Sequence, residues 1–240
     1  MRFVLASGNR HKLAEFRAIL APAAVVAMPS GLELPPEGTE SFVANARLKA
    51  RALAAAVLDD PQLAAAVAGA VDGATASPAV PPHGSLPPDL VLLADDSGLE
   101  VEALGWAPGV TSARYAGVDG PGADKANVAR LLRELAGSAG PLARRARFVC
   151  TLVAVTPRMA EYEATGYWWG AIAEAPRGEG GFGYDPVFVP EGSDLTVAEW
   201  PQEQKDQASH RALAGTALLE RWRQEGVPHE SDEAASRRDG

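Results

Sequence analysis

One stretch near the middle of the chain, Leu90 to Leu104, constrains the fold most. Five apolar residues, Leu90 to Ala94, predict a buried strand, and an Asp-Asp-Ser-Gly run beginning at Asp95 follows directly. Open α/β sheets bind ligands beyond the carboxyl ends of their strands, so carboxylates here indicate a functional edge. Neighbouring side chains of an extended chain point to opposite faces. We therefore expect Asp95 and Asp96 to differ in role, one turned to a cleft and one bracing the turn. The alternative is a plain turn-forming loop.

A second motif lies near the amino end. Phe3 to Ala6 predicts a short strand, and Ser7-Gly-Asn-Arg-His-Lys12 then leads into an amphipathic helix. A strand, a turn of small residues and a helix start form a geometry in which free backbone N–H groups hold a phosphate. Arg10, His11 and Lys12 add cations that the helix dipole opposes, so an anionic ligand is expected there. The turn is too short for a Walker loop.

Phe42 to Leu58 predicts a long helix with polar groups on its inner face. Asn45 and Lys49 share that face with Phe42 and Leu53. Lys49 either extends to water along its stem or pairs with a phosphate or carboxylate inside.

Asp59 to Asp89 differs in composition from the rest of the chain. It contains no Lys or Arg, is rich in Pro and Ala, and carries His83. We interpret it as a flexible or partly disordered insertion, into which the preceding helix extends through Leu63–Val67, with His83 solvated. The polar tail from Gly226 is expected to be disordered for the same compositional reason.

The second half of the chain alternates helices, strands and shaped loops. We predict helices over Ala123–Ala136 and His210–Gln224, and an antiparallel strand pair over Arg147–Val155 and Glu161–Ala173. Ser209 is the expected N-cap of the last helix.

A Gly-rich loop runs from Pro176 to Pro190. Its glycines let the backbone approach a ligand closely, Phe182 is placed to stack on a planar ring, and Asp185 is placed to accept hydrogen bonds. The alternative is a hairpin-like turn with Phe182 in the core. His210 and Arg211 again place basic groups in a first helical turn, which indicates anion or nucleobase contacts.

Charge and composition exclude some classes of function. The net charge of −9 argues against a general nucleic-acid binder, although it permits a small anionic substrate in a locally basic pocket. Cys150, the single cysteine, lies in an apolar run and is expected to be buried. No signal peptide and no run long enough to span a membrane is found, so the expected location is cytoplasmic.

Five motifs in order carry a resemblance. The chain resembles the non-canonical purine nucleoside triphosphate pyrophosphatases, the inosine/xanthosine triphosphatase family, over about 1–58 and 90–224. The matching segments are Ser7–Lys12, Phe42–Lys49, Ala94–Leu99 continuing to Pro108–Gly117, Gly181–Pro186 and Ser209–Arg211. The chain departs from the family pattern in its long 59–89 insertion, in Trp106 where a small residue is common, and in the run around Lys205.

The resemblance implies a fold, a reaction and partners. The fold is a single two-lobed α/β domain over 1–225, with a long mixed β-sheet flanked by helices, an insertion at 59–89 and a tail at 226–240. The implied enzyme is a homodimer with its substrate cleft between the lobes. It hydrolyses XTP, ITP or dITP with Mg²⁺ to the monophosphate and pyrophosphate, which cleanses the nucleotide pool. No nucleic-acid or membrane partner is implied.

The resemblance also assigns roles by position. Asp96, Asp95 and Lys49 would be catalytic, and Asp96 and Glu37 would hold Mg²⁺. The substrate-binding residues would be Ser7, Gly8, Asn9, Arg10, His11, Lys12, Ser97, Phe182, Gly183, Tyr184, Asp185, Lys205, His210 and Arg211. A pocket of hydrogen-bond donors suits the 6-oxo group of hypoxanthine or xanthine and leaves the 6-amino group of adenine unpaired.

Two other classes of function remain open. A phosphohydrolase with a covalent Asp nucleophile requires an Asp-x-Asp pattern, which the adjacent Asp95 and Asp96 lack. A nucleotide sensor would keep the pocket without turnover, and binding without pyrophosphate release would identify it.

Overall fold

The protein is built on one mixed sheet flanked by helices, in a computed structural model that describes residues 1–72, 86–138 and 143–225. The strands are β1 (Arg2–Leu5), β2 (Ala24–Ala27), β3 (Leu90–Val101), β4 (Arg145–Val155), β5 (Glu161–Ile172) and β6 (Phe188–Pro190). The helices are α1 (Arg10–Ile19), α2 (Phe42–Asp59), α3 (Pro61–Asp72), α4 (Ala123–Glu134), α5 (Gln202–Ala208) and α6 (His210–Gln224). The strand order is β2-β1-β3-β4-β5-β6, with β1 parallel to both neighbours and the remaining pairs antiparallel.

β3 joins the parallel and antiparallel parts of the sheet. Leu90–Leu93 pair with β1, whereas Leu92–Val101 pair with β4. The prediction that the strand ends at Ala94 was therefore wrong, because Asp95 and Asp96 lie inside it. A continuous ladder with β4 outweighs the low strand propensity of Asp, Ser and Gly.

Beyond Leu93, the edge of β3 that β1 leaves open is covered by a 3-10 helix, Gly109–Arg114. The Leu99 amide donates to Ser112 Oγ at 2.8 Å. A Cβ at Gly98 would lie 2.5 Å from both Ser112 Oγ and the Gly109 carbonyl oxygen. Gly98 is thus required by close packing rather than by a turn.

At one end of the long strands, helices cover both faces of the sheet and form the first of two core regions. α2 packs on one face of β3 and β4, while α6 packs on the opposite face with α1 against it. A separate apolar cluster at the other end of the long strands contains Leu131 of α4 and Phe148 of β4. The predicted two-lobed α/β architecture with a long mixed sheet is confirmed.

Most predicted elements are present, and the insertion is the main correction. The helices predicted around α1, α2, α4 and α6 and the β4–β5 pair are confirmed. Within the stretch interpreted as flexible, Pro61–Asp72 forms α3, and its Ala64 and Val67 are buried in the core. These apolar side chains stabilise the helix by packing against α2 and β2. The predictions for 73–85, including His83, and for 226–240 fall outside the described residues.

Two further predictions concern Cys150 and membrane-spanning segments. Cys150 is buried and free, as expected, and burial raises the pKa of its thiol above the usual range. Among the described residues, no helix combines the length and the apolar character that crossing a bilayer requires.

Candidate active site

A cleft between the two core regions collects most of the predicted site residues. Its cavity has a volume of about 170 Å³. The predicted residues that line it are Asn9, Lys12, Glu37, Asp96, Ser97, Phe182, Gly183, Tyr184, Asp185, His210 and Arg211. Its lining also includes Gly98, Ser112, Asp124, Asn127 and Phe148, which the sequence did not single out as site residues. We call this set of residues the cleft.

The turn between β1 and α1 forms one wall of the cleft. Asn9 is the N-cap of α1, and its Oδ1 accepts from the amides of His11 at 2.9 Å and Lys12 at 3.3 Å. These two amides are therefore not free for a phosphate, which corrects the expectation for this helix start. Ser7 Oγ accepts from the Asn9 amide at 3.2 Å. Gly8 and Arg10 are exposed beside this turn, outside the lining of the cavity.

Asp95 and Asp96 point to opposite faces of β3, as the strand period predicts. Asp95 is fully buried on the face covered by α1 and α6, with Oδ2 2.8 Å from Lys12 Nζ and 3.7 Å from Arg211 Nε. Burial raises the pKa of Asp95, but the neighbouring cations, Lys12 first, outweigh burial and hold the pKa well below its usual range. Asp95 is thus a permanently charged anchor for Lys12 and Arg211.

Asp96 faces α2 and has a different electrostatic environment. Its Oδ2 accepts from Asn45 Nδ2 at 2.9 Å, and its Oδ1 lies 3.4 Å from Lys49 Nζ. Burial and the nearby Glu37 carboxylate raise the pKa of Asp96 to about 6, against the opposing effects of Lys49 and Asn45. A carboxylate with this pKa can exchange protons near neutrality.

Lys49 connects the acidic groups of this wall. Its Nζ lies 2.7 Å from Glu37 Oε1, so the inner-face lysine is a carboxylate partner and does not extend to water. Burial lowers the pKa of Lys49, but the neighbouring carboxylates outweigh burial and raise it. Burial raises the pKa of Glu37, and Lys49 more than compensates, so that pKa is lowered. Arg114 Nη1 lies 3.4 Å from the other carboxylate oxygen of Glu37, Oε2.

The side of the cleft opposite Asp96 and Glu37 carries a buried network of ion pairs. Lys205 Nζ lies 2.6 Å from Asp185 Oδ2 and 2.8 Å from Glu15 Oε1. Arg211 donates to Glu15 Oε2 at 2.8 Å and to Ser97 Oγ at 2.8 Å. The two cations predicted to contact a base are therefore engaged by carboxylates. The sequence patterns did not identify Glu15 as a site residue. Its position one helical turn after Lys12 and next to Phe16, a core residue, is the feature of the sequence that could have indicated it.

Aromatic rings flank this wall. Phe182 is partly buried, and its ring stacks on His11 at a centroid distance of 5.1 Å and lies 4.4 Å from Lys205 Nζ. His210 stacks on Phe148 at 4.7 Å. Burial, with the positive charges of Arg211 and Lys205, lowers the pKa of His210 well below its usual value, so the imidazole is neutral.

The Gly-rich loop is fixed from both ends. The Phe182 amide donates to Asp185 Oδ2 at 2.9 Å, and the Gly183 amide donates to Asp124 Oδ2 at 2.8 Å. Tyr184 is buried, and its hydroxyl donates to the Ser112 carbonyl at 2.9 Å. Tyr184 thus braces the loop against the 3-10 helix while one side of it lines the cleft. The interpretation of Phe182 as a core residue is wrong, because the ring borders the cavity.

We expect Asp96 to titrate near pH 6 in the metal-free protein. Glu37→Gln removes a neighbouring negative charge and should lower that midpoint, whereas Lys49→Met removes a cation and should raise it. The measurement is the ¹³C shift of the Asp96 carboxyl carbon against pH, assigned with Asp96→Asn. A midpoint near the ordinary aspartate value of 3.8 would contradict this electrostatic environment.

Comparison with known proteins gives consistent matches over most of the chain. A family model described as the Ham1 family matches residues 3–221. A protein of Ralstonia nicotianae named dITP/XTP pyrophosphatase is 43% identical over 232 residues, covering 92% of this chain and 96% of that protein. A protein of the same name from Methylacidiphilum infernorum is 40% identical over 215 residues, covering 89% and 90%.

Solved structures match at the level of the fold and the sequence. The Staphylococcus aureus Ham1 protein superposes with a TM-score of 0.70 at 33% identity, covering 94% of this chain and 100% of that one. A nucleoside-triphosphatase, named dITP/XTP pyrophosphatase, from Mycobacterium abscessus superposes with a TM-score of 0.60 at 38% identity, covering 91% and 99%.

Proposed function

The chain belongs to the Ham1 family, and from this we propose that it is a nucleoside-triphosphate diphosphatase. Its substrates are non-canonical purine nucleoside triphosphates, XTP, ITP and dITP, which it hydrolyses to the monophosphate and pyrophosphate. The relatives named dITP/XTP pyrophosphatase support this assignment. The observation that carries it is the pairing of acids and lysines at the cleft: Lys12, which lines it, lies 2.8 Å from buried Asp95, and Asp96, which lines it, lies 3.4 Å from buried Lys49.

Glu37 and Asp96 give the cleft the ligands that Mg²⁺ prefers, which are one or two carboxylates. Phosphate oxygens and water complete the coordination shell. Glu37 and Asp96 are close enough to shift each other's pKa, and a divalent cation would relieve that repulsion. Across the described ranges, no group of three or more His, Cys, Asp or Glu side chains could hold a metal. Glu37 and Asp96 would therefore hold Mg²⁺ together with the substrate. When bound, Mg²⁺ neutralises charge on the phosphate oxygens.

Asp96 is the residue that activates water. In the metal-free cleft the pKa of Asp96 is raised to about 6, so its carboxylate is a proton acceptor at neutral pH. The water oxygen attacks the α-phosphorus, its proton passes to Asp96, and the bond between the α-phosphorus and the bridging oxygen breaks. Lys12 and Lys49 stabilise the charge of the departing pyrophosphate. Asp95 holds Lys12 at the cleft through their ion pair and takes no part in the proton transfer.

The base occupies the wall bordered by Phe182 and His210. Stacking on Phe182 is insensitive to the ring substituents, so hydrogen bonding must select the base. Neutral His210 has a buried Nδ1 without a hydrogen-bond partner among the described residues. As a donor, His210 suits the 6-oxo group and opposes the 6-amino group of adenine, at a cost of about 1–3 kcal/mol for the unpaired group.

Product analysis tests this proposal. Purified protein with Mg²⁺ is given ITP, XTP, GTP and ATP in parallel, and the reaction is run in ¹⁸O-water. We expect inosine or xanthosine monophosphate carrying ¹⁸O, with unlabelled pyrophosphate and little turnover of GTP or ATP. Diphosphate with free phosphate would overturn the cleavage site. A burst of pyrophosphate ahead of the monophosphate, with the nucleotide held on an Asp side chain, would favour the covalent phosphohydrolase, and tight ITP binding without turnover would favour a sensor.

The assembly is a homodimer that acts in the cytoplasm, where its nucleotide substrates are. An exposed aromatic surface supports the dimer. Trp106 and Tyr167 are 38% and 46% exposed, and both lie against the guanidinium of Arg147. Exposed aromatic and Arg side chains grouped in this way are typical of protein interfaces. Light scattering of the wild type and of Trp106→Gly tests it, because a monomeric wild type would contradict the assignment.

A further inference from the structure

Asn45 of α2 links two segments of the cleft that are distant in sequence. It is only 2% exposed and lies one helical turn before Lys49. Its Nδ2 donates to Asp96 Oδ2 at 2.9 Å and to the Gly38 carbonyl at 3.2 Å. Its Oδ1 accepts from the Gly38 amide at 2.8 Å. One carboxamide thus holds both backbone groups of Gly38 and one carboxylate oxygen of Asp96.

This contact fixes the rotation of the Asp96 carboxyl group. The other oxygen of Asp96 lies 3.4 Å from Lys49 Nζ, which is at the long end of a hydrogen bond. Without the Asn45 donor, the carboxylate is free to turn towards the Lys49 ammonium and form a tighter pair. Asn45 prevents this because it is a neutral donor, which orients the carboxylate without cancelling its charge.

The same side chain sets where Glu37 lies. Gly38 follows Glu37 directly, so holding its amide and carbonyl fixes the backbone from which the Glu37 side chain leaves. Arg114 also bonds the Gly38 carbonyl, at 3.2 Å, but it does not contact Asp96. Asn45 therefore joins Asp96 to the backbone of Gly38, whereas Lys49 joins Asp96 to the side chain of Glu37.

We propose that Asn45 is a positioning residue that holds the Asp96 and Glu37 carboxylates in the relative arrangement needed for water activation and Mg²⁺ binding. This inference rests on the proposed function of the same site. Side chains that orient metal-binding groups typically change affinity or activity by about 10–100-fold when removed. A displacement of the Asp96 carboxylate also separates it from the attacking water.

Asn45→Leu is the main test, because leucine has a similar size and makes none of the hydrogen bonds. We expect kcat for ITP to fall by about 10–100-fold and the Mg²⁺ concentration for half activity to rise by a similar factor. KM for ITP should stay within about threefold of the wild-type value, since the substitution does not touch Lys12 or the turn between β1 and α1. Thermal unfolding verifies that the variant is folded, and Asn45→Ala takes its place if it is not.

Arg114→Met is the matched control. It loosens the Glu37–Gly38 segment but leaves the bond from Asn45 to Asp96 intact. Its kcat should fall far less than that of Asn45→Leu. An equal loss of kcat in the two variants would overturn the positioning of Asp96, and folded Asn45 variants with wild-type kcat and wild-type Mg²⁺ dependence would overturn the whole inference.

A direct metal-binding measurement separates this inference from the proposed function. Mn²⁺ alone is titrated into nucleotide-free protein and free Mn²⁺ is followed by electron paramagnetic resonance. We expect about 10–100-fold weaker Mn²⁺ binding in Asn45→Leu than in the wild type. A wild type that releases no pyrophosphate overturns the proposed function, whereas equal Mn²⁺ affinity of the two proteins overturns the role of Asn45.

Discussion

Asp96→Asn should abolish turnover of ITP while leaving its binding within about tenfold of the wild type. Asparagine has nearly the same shape, so the cleft keeps its form, but its amide cannot accept the proton of the attacking water. The carboxylate contributes mainly in the transition state, and its loss therefore appears in kcat. Single-turnover kinetics measure the chemical step, and calorimetry with ITP and Ca²⁺ measures binding.

Asp119→Asn provides the control for this substitution. Asp119 is exposed and lies outside the cleft, so the activity of this variant should equal that of the wild type. Near-wild-type activity of Asp96→Asn would remove Asp96 from the mechanism. A loss of ITP affinity far beyond tenfold would instead show that its main contribution is to ground-state binding.

The second large effect concerns stability. Lys205→Met should lower the free energy of unfolding by about 3–5 kcal/mol, because it leaves buried carboxylates without their shared cation. Lys205 is 3% exposed, and Asp185 and Glu15 are as deeply buried. Urea denaturation measures the change. Arg221→Met is the control, since the Arg221–Glu225 pair is 45% exposed on each side and contributes about 0–1 kcal/mol.

This destabilisation should depend on pH. Burial raises the pKa of Asp185 even with Lys205 present, and removal of Lys205 raises it further. A carboxyl group whose folded pKa exceeds its unfolded pKa gives stability at low pH that is lost as the pH rises through the folded pKa. The deficit of Lys205→Met should therefore be smaller at pH 5 than at pH 8. A deficit independent of pH would point to lost packing as its cause.

Local periodicity predicted much of this site. Asp95 and Asp96 face opposite ways because strand side chains alternate, and Lys49 faces inward because helical side chains repeat about every turn. Such patterns are properties of the chain itself. They hold for β3 even though the strand is longer than predicted, since its continuation depends on pairing with β4, which lies about fifty residues further along the chain.

The missed features depend on contacts between distant segments. Glu15 bonds Arg211 across a separation of 196 residues, which no local pattern contains. β2 is short and Ala-rich, and it forms because β1 offers a parallel edge. The capping of α1 is the exception, because Asn9 before a helix predicts that its carboxamide occupies the first amides. That rule was available from the sequence, and it removes two of the donors expected for a phosphate.

The alternation of β3 has a consequence for how such an enzyme can change. Asp95 contacts Lys12 and Arg211, while Asp96 contacts Asn45 and Lys49, although the two acids are adjacent in the sequence. Substitutions at Asn45 of α2 can therefore change the hydrogen bonding of Asp96 without touching the contacts of Asp95 to Lys12 and Arg211, although the charge of Lys49 acts on both acids. Laboratory evolution can therefore alter the hydrogen bonds around the water-activating acid from α2 and the base pocket from α6, because the two helices pack on opposite faces of the sheet.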